Sequence, residues 1–255
     1  MPLPLDTPPE SICILRLSAI GDVTHVLPII RTLQKVWPTT EITWIIGKAE
    51  AALVSDIEGI QFIVFDKKNG WQEYAKLRAT LSKKRFTVLL NMQAALRASI
   101  ASLIIRADTK IGFDKARSRD FQHLFTNASI SGDARVHVID TFFQFLQTLG
   151  IDEKVYRWDI PVSDDDVAYA TQTLGDKPTL VINPCTSVRA NNWRNWDIQH
   201  YAATIDYAAA NHNLNIVLTG GPAKEERAFG DAIADQATTP VTNLIGKSTL
   251  KQLQA

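Results

Sequence analysis

The sequence predicts an α/β fold made of two doubly wound, Rossmann-like units, and three observations carry that expectation. Short apolar runs without helical period alternate with segments whose apolar residues recur every three or four positions, the pattern of parallel strands joined by crossover helices. The alternation stops over residues 151–163 and then begins afresh, which divides the chain into residues 1–160 and 161–255. Three strand-to-helix turns carry glycine or many hydrogen-bond donors, and such turns line the ligand edge of an open parallel sheet.

The first strand is Ile12–Leu17, a continuous apolar run suited to burial on both faces. Beyond the turn Ser18–Asp22, the residues Val23, Val26, Leu27, Ile30, Leu33 and Trp37 fall on one face of a helix that Pro38 ends. Pro28 lies in the early turns of that helix, where a missing N–H costs least. Residues 42–46, 62–65 and 86–90 read as strands, and residues 48–55, 71–83 and 94–105 as the helices after them. Residues 112–135 are polar and unassigned. Val138, Ile139, Phe142, Phe143, Leu146 and Leu149 then define a strongly apolar helix that stops at Gly150.

The second unit opens with Ser163 placed to cap a helix whose first turn is Asp164-Asp165-Asp166. Strands follow at 180–182, 215–218 and 243–245, with helices over 197–211 and 223–236, and Ser248 is expected to cap a last one. Three strands fall short of the five or six usual in a doubly wound domain. The second domain is therefore expected to be incomplete and the chain a fragment of a longer protein.

Composition narrows the class. Twenty-seven Lys and Arg balance twenty-seven Asp and Glu, whereas a general nucleic-acid binder carries a basic excess. Cys13 and Cys185 are too far apart for a CxxC motif and point to a reducing compartment. No apolar run approaches the roughly 18 residues of a membrane-spanning helix, and Met1–Glu10 lacks the basic and apolar segments of a signal peptide. The expectation is a soluble cytoplasmic protein.

Three turns are candidates for chemistry. The first, Ser18 to His25, follows the first strand. Gly21 permits a tight turn or the close approach of a ligand. Asp22 stands where a helix N-terminus favours a carboxylate, which is also its plain structural explanation. His25, three residues on, can share a face with it. The second, Asn183 to Trp196, offers Thr186, Ser187, Arg189 and Arg194 to a phosphate; a solvated loop pinned by tryptophans is the alternative. The third, Thr219-Gly220-Gly221-Pro222 with Glu226, opens a helix whose N-terminus suits a phosphate, though an ordinary strand-to-helix turn looks the same. No GxGxxG or GxxxxGK[ST] fingerprint is present. The Asp164–Asp166 run could hold a divalent metal but reads better as a helix cap. Lys115, Arg117 and Arg119 could meet an anionic partner or belong to a charged loop.

The chain resembles glycosyltransferase family 9, the lipopolysaccharide heptosyltransferases. The residues that carry the resemblance are Ile14 to Val23 with Pro28, Cys185-Thr186-Ser187 through Arg194-Asn195-Trp196, Thr219-Gly220-Gly221-Pro222 with Glu226, and Asn243 to Ser248. The resemblance implies a GT-B fold, two Rossmann-like domains facing a cleft, with the acceptor held mainly by the first and the nucleotide-sugar by the second. It implies inverting transfer of L-glycero-D-manno-heptose from ADP-heptose to the lipid A–Kdo or inner-core lipopolysaccharide acceptor, with no cofactor or required metal. Asp22 is then the general base, with Ser18, Gly21 and His25 on the acceptor side. Thr186, Ser187, Gly220, Gly221 and Glu226 are expected at the donor. Arg194, or Arg189, stands where the family often has a lysine facing the departing diphosphate. The resemblance further implies peripheral contact with the cytoplasmic face of the inner membrane. The family's Asp-Thr-Gly-x-x-His segment is not found in this sequence. A glycosyltransferase using another nucleotide-sugar, and a nucleotide-binding module without turnover, are the competing expectations.

Overall fold

A computed structural model describes residues 2–186 and 193–255, which form two compact units, residues 1–161 and 162–255. In the first unit the strands are β1 (Ser11–Leu15), β2 (Glu41–Gly47), β3 (Gln61–Phe65), β4 (Phe86–Asn91), β5 (Ala107–Gly112) and β6 (Ala128–Ser129). They form one parallel sheet in the order β3-β2-β1-β4-β5-β6. This is the strand order of a dinucleotide-type doubly wound sheet, whose ligand crevice lies where the order reverses. Here that point falls between β1 and β4, with Leu15 paired to Asn91 at the carboxyl ends.

The apolar runs of β1 and β4 are buried because helices cover both faces of the sheet. On one face, Cys13, Leu15, Ile45 and Leu89 pack with Leu77 and Leu81 from the α4 (Trp71–Thr80) region and Ala98 and Ala101 of α5 (Leu96–Ile104). Ile12 and Ile14, equally buried, point the other way because strand side chains alternate. Two further helices, α2 (Val26–Val36) and α6 (Val138–Leu149), pack against each other. Between β2 and β3 lies α3 (Lys48–Val54).

The helix expected from Val23 proves to be two. The first, α1, spans Ile20–Thr24, His25 interrupts, and α2 begins at Val26. Pro28 has no N–H to give the carbonyl of Thr24, so an unbroken ladder cannot pass this point. The strand β5 lies in a stretch left without a strand by the sequence pattern. Its Asp108 and Lys110 alternate with buried Thr109 and Ile111; because buried Thr109 is polar, Ile111 is the one apolar residue of that alternation and the period-two signal is weak. Asp108 pairs with Arg85, and the Lys110 ammonium bonds the Ser102 carbonyl at 2.7 Å.

In the second unit β7 (Thr179–Ile182), β8 (Asn215–Leu218) and β9 (Thr242–Asn243) form a parallel three-stranded sheet. Its core joins Ile216 and Leu218 to Ile205 and Ala208 of α8 (Ile198–His212) and Ile233 of α9 (Lys224–Gln236), with Ile245 beyond β9. Ser163 caps α7 (Asp164–Leu174) by accepting from the Asp166 N–H, and its hydroxyl donates to the Asp166 carboxylate. The acidic run is therefore the first turn of a helix. The last helix, α10 (Leu250–Gln254), is capped by Thr249 and Gln252 in a capping box, one residue later than expected.

Candidate active site

The first site is assembled at the switch point of the six-stranded sheet. Backbone pairing continues just past β1: Arg16 donates to the Ile45 carbonyl at 3.2 Å, and Gly47 donates to the Leu17 carbonyl at 3.0 Å. The chain then turns into α1, which carries Asp22 in its first turn. The Arg16 guanidinium pairs with the Asp22 carboxylate, donates to the Met92 carbonyl at the end of β4, and lies 5.4 Å over the Phe142 ring. Its side chain is only 11% exposed, whereas that of Asp22 is 37% exposed. Burial pushes the guanidinium below its ordinary pKa and the nearby Asp22 charge opposes that shift; arginine stays charged regardless. The pair binds Oδ2 of Asp22. Among the described residues no side chain bonds the other oxygen, so a solvent-accessible carboxylate is held in place with one oxygen open. Such a group can take a proton from a hydroxyl within hydrogen-bond reach.

Gln93 fixes the floor of this loop. Its amide oxygen accepts from the Leu17 N–H at 2.7 Å and its amide nitrogen donates to the Ser18 hydroxyl at 3.1 Å. Gln93 is held in turn by Gln122, a fully buried side chain whose amide donates to the carbonyls of Asn91 (2.9 Å) and Gln93 (3.2 Å). Gly21 has helical backbone, and a Cβ there would meet nothing within 4 Å. The tight-turn explanation for this glycine does not apply, and space above it is open. His25 ends α1 and meets His137 edge to face, with ring centroids 5.4 Å apart. Its pKa is lowered by burial first, then by His137 and Arg16, against the opposing Asp22 charge.

A cavity of about 290 Å³ adjoins this loop. Leu17, Ser18 and Gln93 line one side, and Lys48, Lys67, Lys68 and Arg97 supply four cations against the two anions Glu50 and Asp66. One of the four, Lys48, is already paired with Asp66 at 3.0 Å. None of these cations, nor Arg16 as a partner of Asp22, was singled out by motif. The signal that could have found Arg16 is a lone arginine closing an apolar strand; the three lysines and Arg97 carry none, because three separate strand ends bring them together.

The second unit places its candidates at the carboxyl edge of its own sheet. After β7, the Thr186 N–H and hydroxyl both donate to the Asn195 side-chain oxygen, at 3.0 and 3.3 Å. The Tyr201 hydroxyl donates to the Pro184 carbonyl at 3.2 Å, and Trp196 stacks on His200 with centroids 4.8 Å apart. Arg194 lies over the ring of Trp193 at 5.7 Å. Ser187 and Arg189 fall outside the described residues. After β8, Glu226 accepts from the Gly221 N–H at 2.7 Å, and a Cβ on Gly220 or Gly221 would come within 3.2 and 3.1 Å of that carboxylate. Burial, and secondarily the Glu226 charge, pushes the Cys185 thiol up to about 11. Thr186, Cys185, Glu226 and the glycine turn thus share one edge. Ser18, Gly21, Asp22 and His25 share the edge of the other unit. Among the described residues no cluster of three or more His, Cys, Asp or Glu is placed to hold a metal ion.

A six-stranded doubly wound unit with an open carboxylate at its ligand edge, and a three-stranded parallel unit with a glycine turn at its own, define an α/β fold shared with solved glycosyltransferases. The crystal structure of the glycosyl transferase family 9 protein from Veillonella parvula matches with a TM-score of 0.82 at 21% identity, over 98% of this chain and 73% of that one. Escherichia coli heptosyltransferase WaaC with ADP matches with a TM-score of 0.72 at 20% identity, over 95% and 77%. The family model for glycosyltransferase family 9 (heptosyltransferase) matches residues 74–255. The chain is 42% identical over 248 residues to the lipopolysaccharide core heptosyltransferase OpsX of Haemophilus influenzae, covering 97% of this chain and 70% of that protein. It is 23% identical to lipopolysaccharide heptosyltransferase 3 of Escherichia coli K12, over 92% and 70%. The chain belongs to glycosyltransferase family 9, the heptosyltransferases.

Proposed function

We propose that this chain transfers a heptose from ADP-heptose to the lipopolysaccharide inner core, with Asp22 as the general base. The observation that carries the reading is the buried Arg16 that holds one oxygen of Asp22 at the switch point and leaves the other open, in a chain 42% identical to a core heptosyltransferase. Asp22 takes the proton of the acceptor hydroxyl as that oxygen attacks the anomeric carbon from the face opposite the leaving diphosphate, which inverts the configuration. Ser18 and His25 flank the hydroxyl, and open space at Gly21 admits the sugar. The cavity lined by Lys48, Lys67, Lys68 and Arg97 receives the acidic part of the acceptor, since four cations against two anions favour a ligand bearing carboxylate or phosphate.

On the donor side, Thr186, Ser187 and the Gly220-Gly221 turn meet the diphosphate, and Arg194 or Arg189 supplies the positive charge that stabilises it as it departs. Arginine does this work without a metal ion or other cofactor. Glu226 holds the glycine turn through the Gly221 N–H and offers a carboxylate to the donor's ribose. Because the acceptor is lipid-linked, the chain meets it at the cytoplasmic face of the inner membrane; no helix among the described residues is long and apolar enough to cross a membrane.

The test is transfer from ADP-heptose to a water-soluble, deacylated inner-core acceptor, alongside calorimetric binding of ADP, UDP and GDP. Asp22→Asn should lower kcat by about 10²- to 10⁴-fold while ADP affinity is unchanged. A preference for UDP or GDP would overturn the donor assignment. ADP binding without turnover by the unaltered chain would leave only a nucleotide-binding module.

A further inference from the structure

We propose that the outer face of α5 and the 3-10 turn over Gln122–Phe125 form the surface that rests on an anionic lipid bilayer. This inference rests on the lipid-linked acceptor of the proposed function and names the surface that meets the lipid. Four large apolar side chains stand exposed there: Leu96 (53%), Leu103 (62%), Phe121 (70%) and Leu124 (70%). Leu96 and Leu103 are seven residues apart, hence on one face of α5, while Ala98, Ser99, Ala101 and Ser102 fill its buried side. The 3-10 turn packs beside this helix.

The backbone presents the aromatic ring at a conformational cost. Asp120 and Phe121 both adopt left-handed φ, 51° and 59°, a region that bulky residues avoid. The Asp120 carboxylate accepts from the Leu96 N–H at 3.0 Å, which ties this segment to the first turn of α5. Gln122, next in sequence, is fully buried and bonded to the backbone of Asn91 and Gln93. The exposed ring is thus clamped on both sides.

Charge names the occupant. Between residues 94 and 125 there are six Lys and Arg against three Asp, in a chain with no net charge. Exposed Arg97, Lys115 and Arg119 adjoin the apolar positions in sequence, whereas Arg117 is turned inward onto Asp114 and Gln144. Exposed apolar side chains with exposed cations in the same segment are the composition of a surface that lies in the interface of an acidic membrane. The location fits a lipid-linked substrate, because Gln93, three residues before Leu96, holds the Ser18 loop beside Asp22.

Flotation with vesicles of phosphatidylglycerol and phosphatidylethanolamine tests this with neither donor nor acceptor present, so its outcome is separate from that of the transfer assay. The chain should float with these vesicles, bind pure phosphatidylcholine vesicles far less, and be released at about 0.5 M salt. L103S/L124S should bind roughly tenfold or more weakly, and K115Q/R119Q roughly 20-fold more weakly. Both should keep the far-ultraviolet circular dichroism of the parent and transfer to the deacylated acceptor; L124F, which keeps the apolar character of the site, should bind as the parent does. Equal binding to neutral and anionic vesicles, or undiminished binding by both double variants, would overturn the proposal. So would a chain that fails to float but dimerises through this face, with L103S/L124S monomeric by sedimentation.

Discussion

Arg16 closes an apolar strand, and six residues later Asp22 opens a helix; the ion pair between them ties the end of β1 to the ligand edge of the sheet. Because the guanidinium also grips the Met92 carbonyl, it fixes Asp22 against both strands that flank the switch point. Arg16 is a positioning residue, not a catalytic one. Arg16→Met should lower kcat on the order of 100-fold through loss of that alignment, with ADP affinity unchanged and Arg16→Lys recovering part of the rate; a change confined to KM for the donor would count against it. His25 supplies a pH signature. Its folded-state pKa lies below the ordinary 6.5 because of burial, His137 and Arg16, opposed by Asp22. The unfolded chain therefore holds this proton more tightly, so the contribution of neutral His25 is complete above that value and is lost as pH falls below it. Urea midpoints measured from about pH 7.5 to pH 5.5 should fall more steeply for the parent than for His25→Gln.

At the scale of elements, the ligand edge is braced by loops from three strands. Gln122 lies beyond β5 yet bonds the end of β4, and its amide oxygen also accepts from the Phe113 N–H at 3.2 Å. Gln122→Ala should destabilise the chain by about 2–4 kcal/mol, from a buried void and backbone groups left without partners, and should raise KM for the acceptor because Gln93 loses its support. Urea denaturation and acceptor titration check the two parts; an unchanged KM would confine Gln122 to stability. Elements with a strong local signal were legible in the sequence: β1 and β4 from unbroken apolar runs, α6 from its helical stripe, α7 from its serine cap. The elements missed were those whose signal is not local. The strand β5 alternates charged with buried residues, and its Lys110 is accommodated only because the Ser102 carbonyl of α5 meets it. The break at His25 comes from the relation of Pro28 to Thr24, which a count of apolar positions does not register.

Over the whole molecule, the sequence alone determined the α/β class, the two-unit organisation and the turns that carry Asp22, Thr186, Gly220 and Glu226, because hydrophobic period, caps and glycine turns act over a few residues. The same short-range signals were enough for the resemblance to a heptosyltransferase family. Tertiary structure decided what those turns touch. It paired Arg16 with Asp22, showed that Gly21 is not needed for a tight turn, and gathered Lys48, Lys67, Lys68 and Arg97 around one cavity from the ends of three strands. It also turned a polar stretch with no evident period into an exposed apolar and basic face. Electrostatics and packing depend on distance in space, and in a parallel sheet every neighbour across the strand order β3-β2-β1-β4-β5-β6 is reached through a crossover, so residues that share a site are separated by tens of positions along the chain.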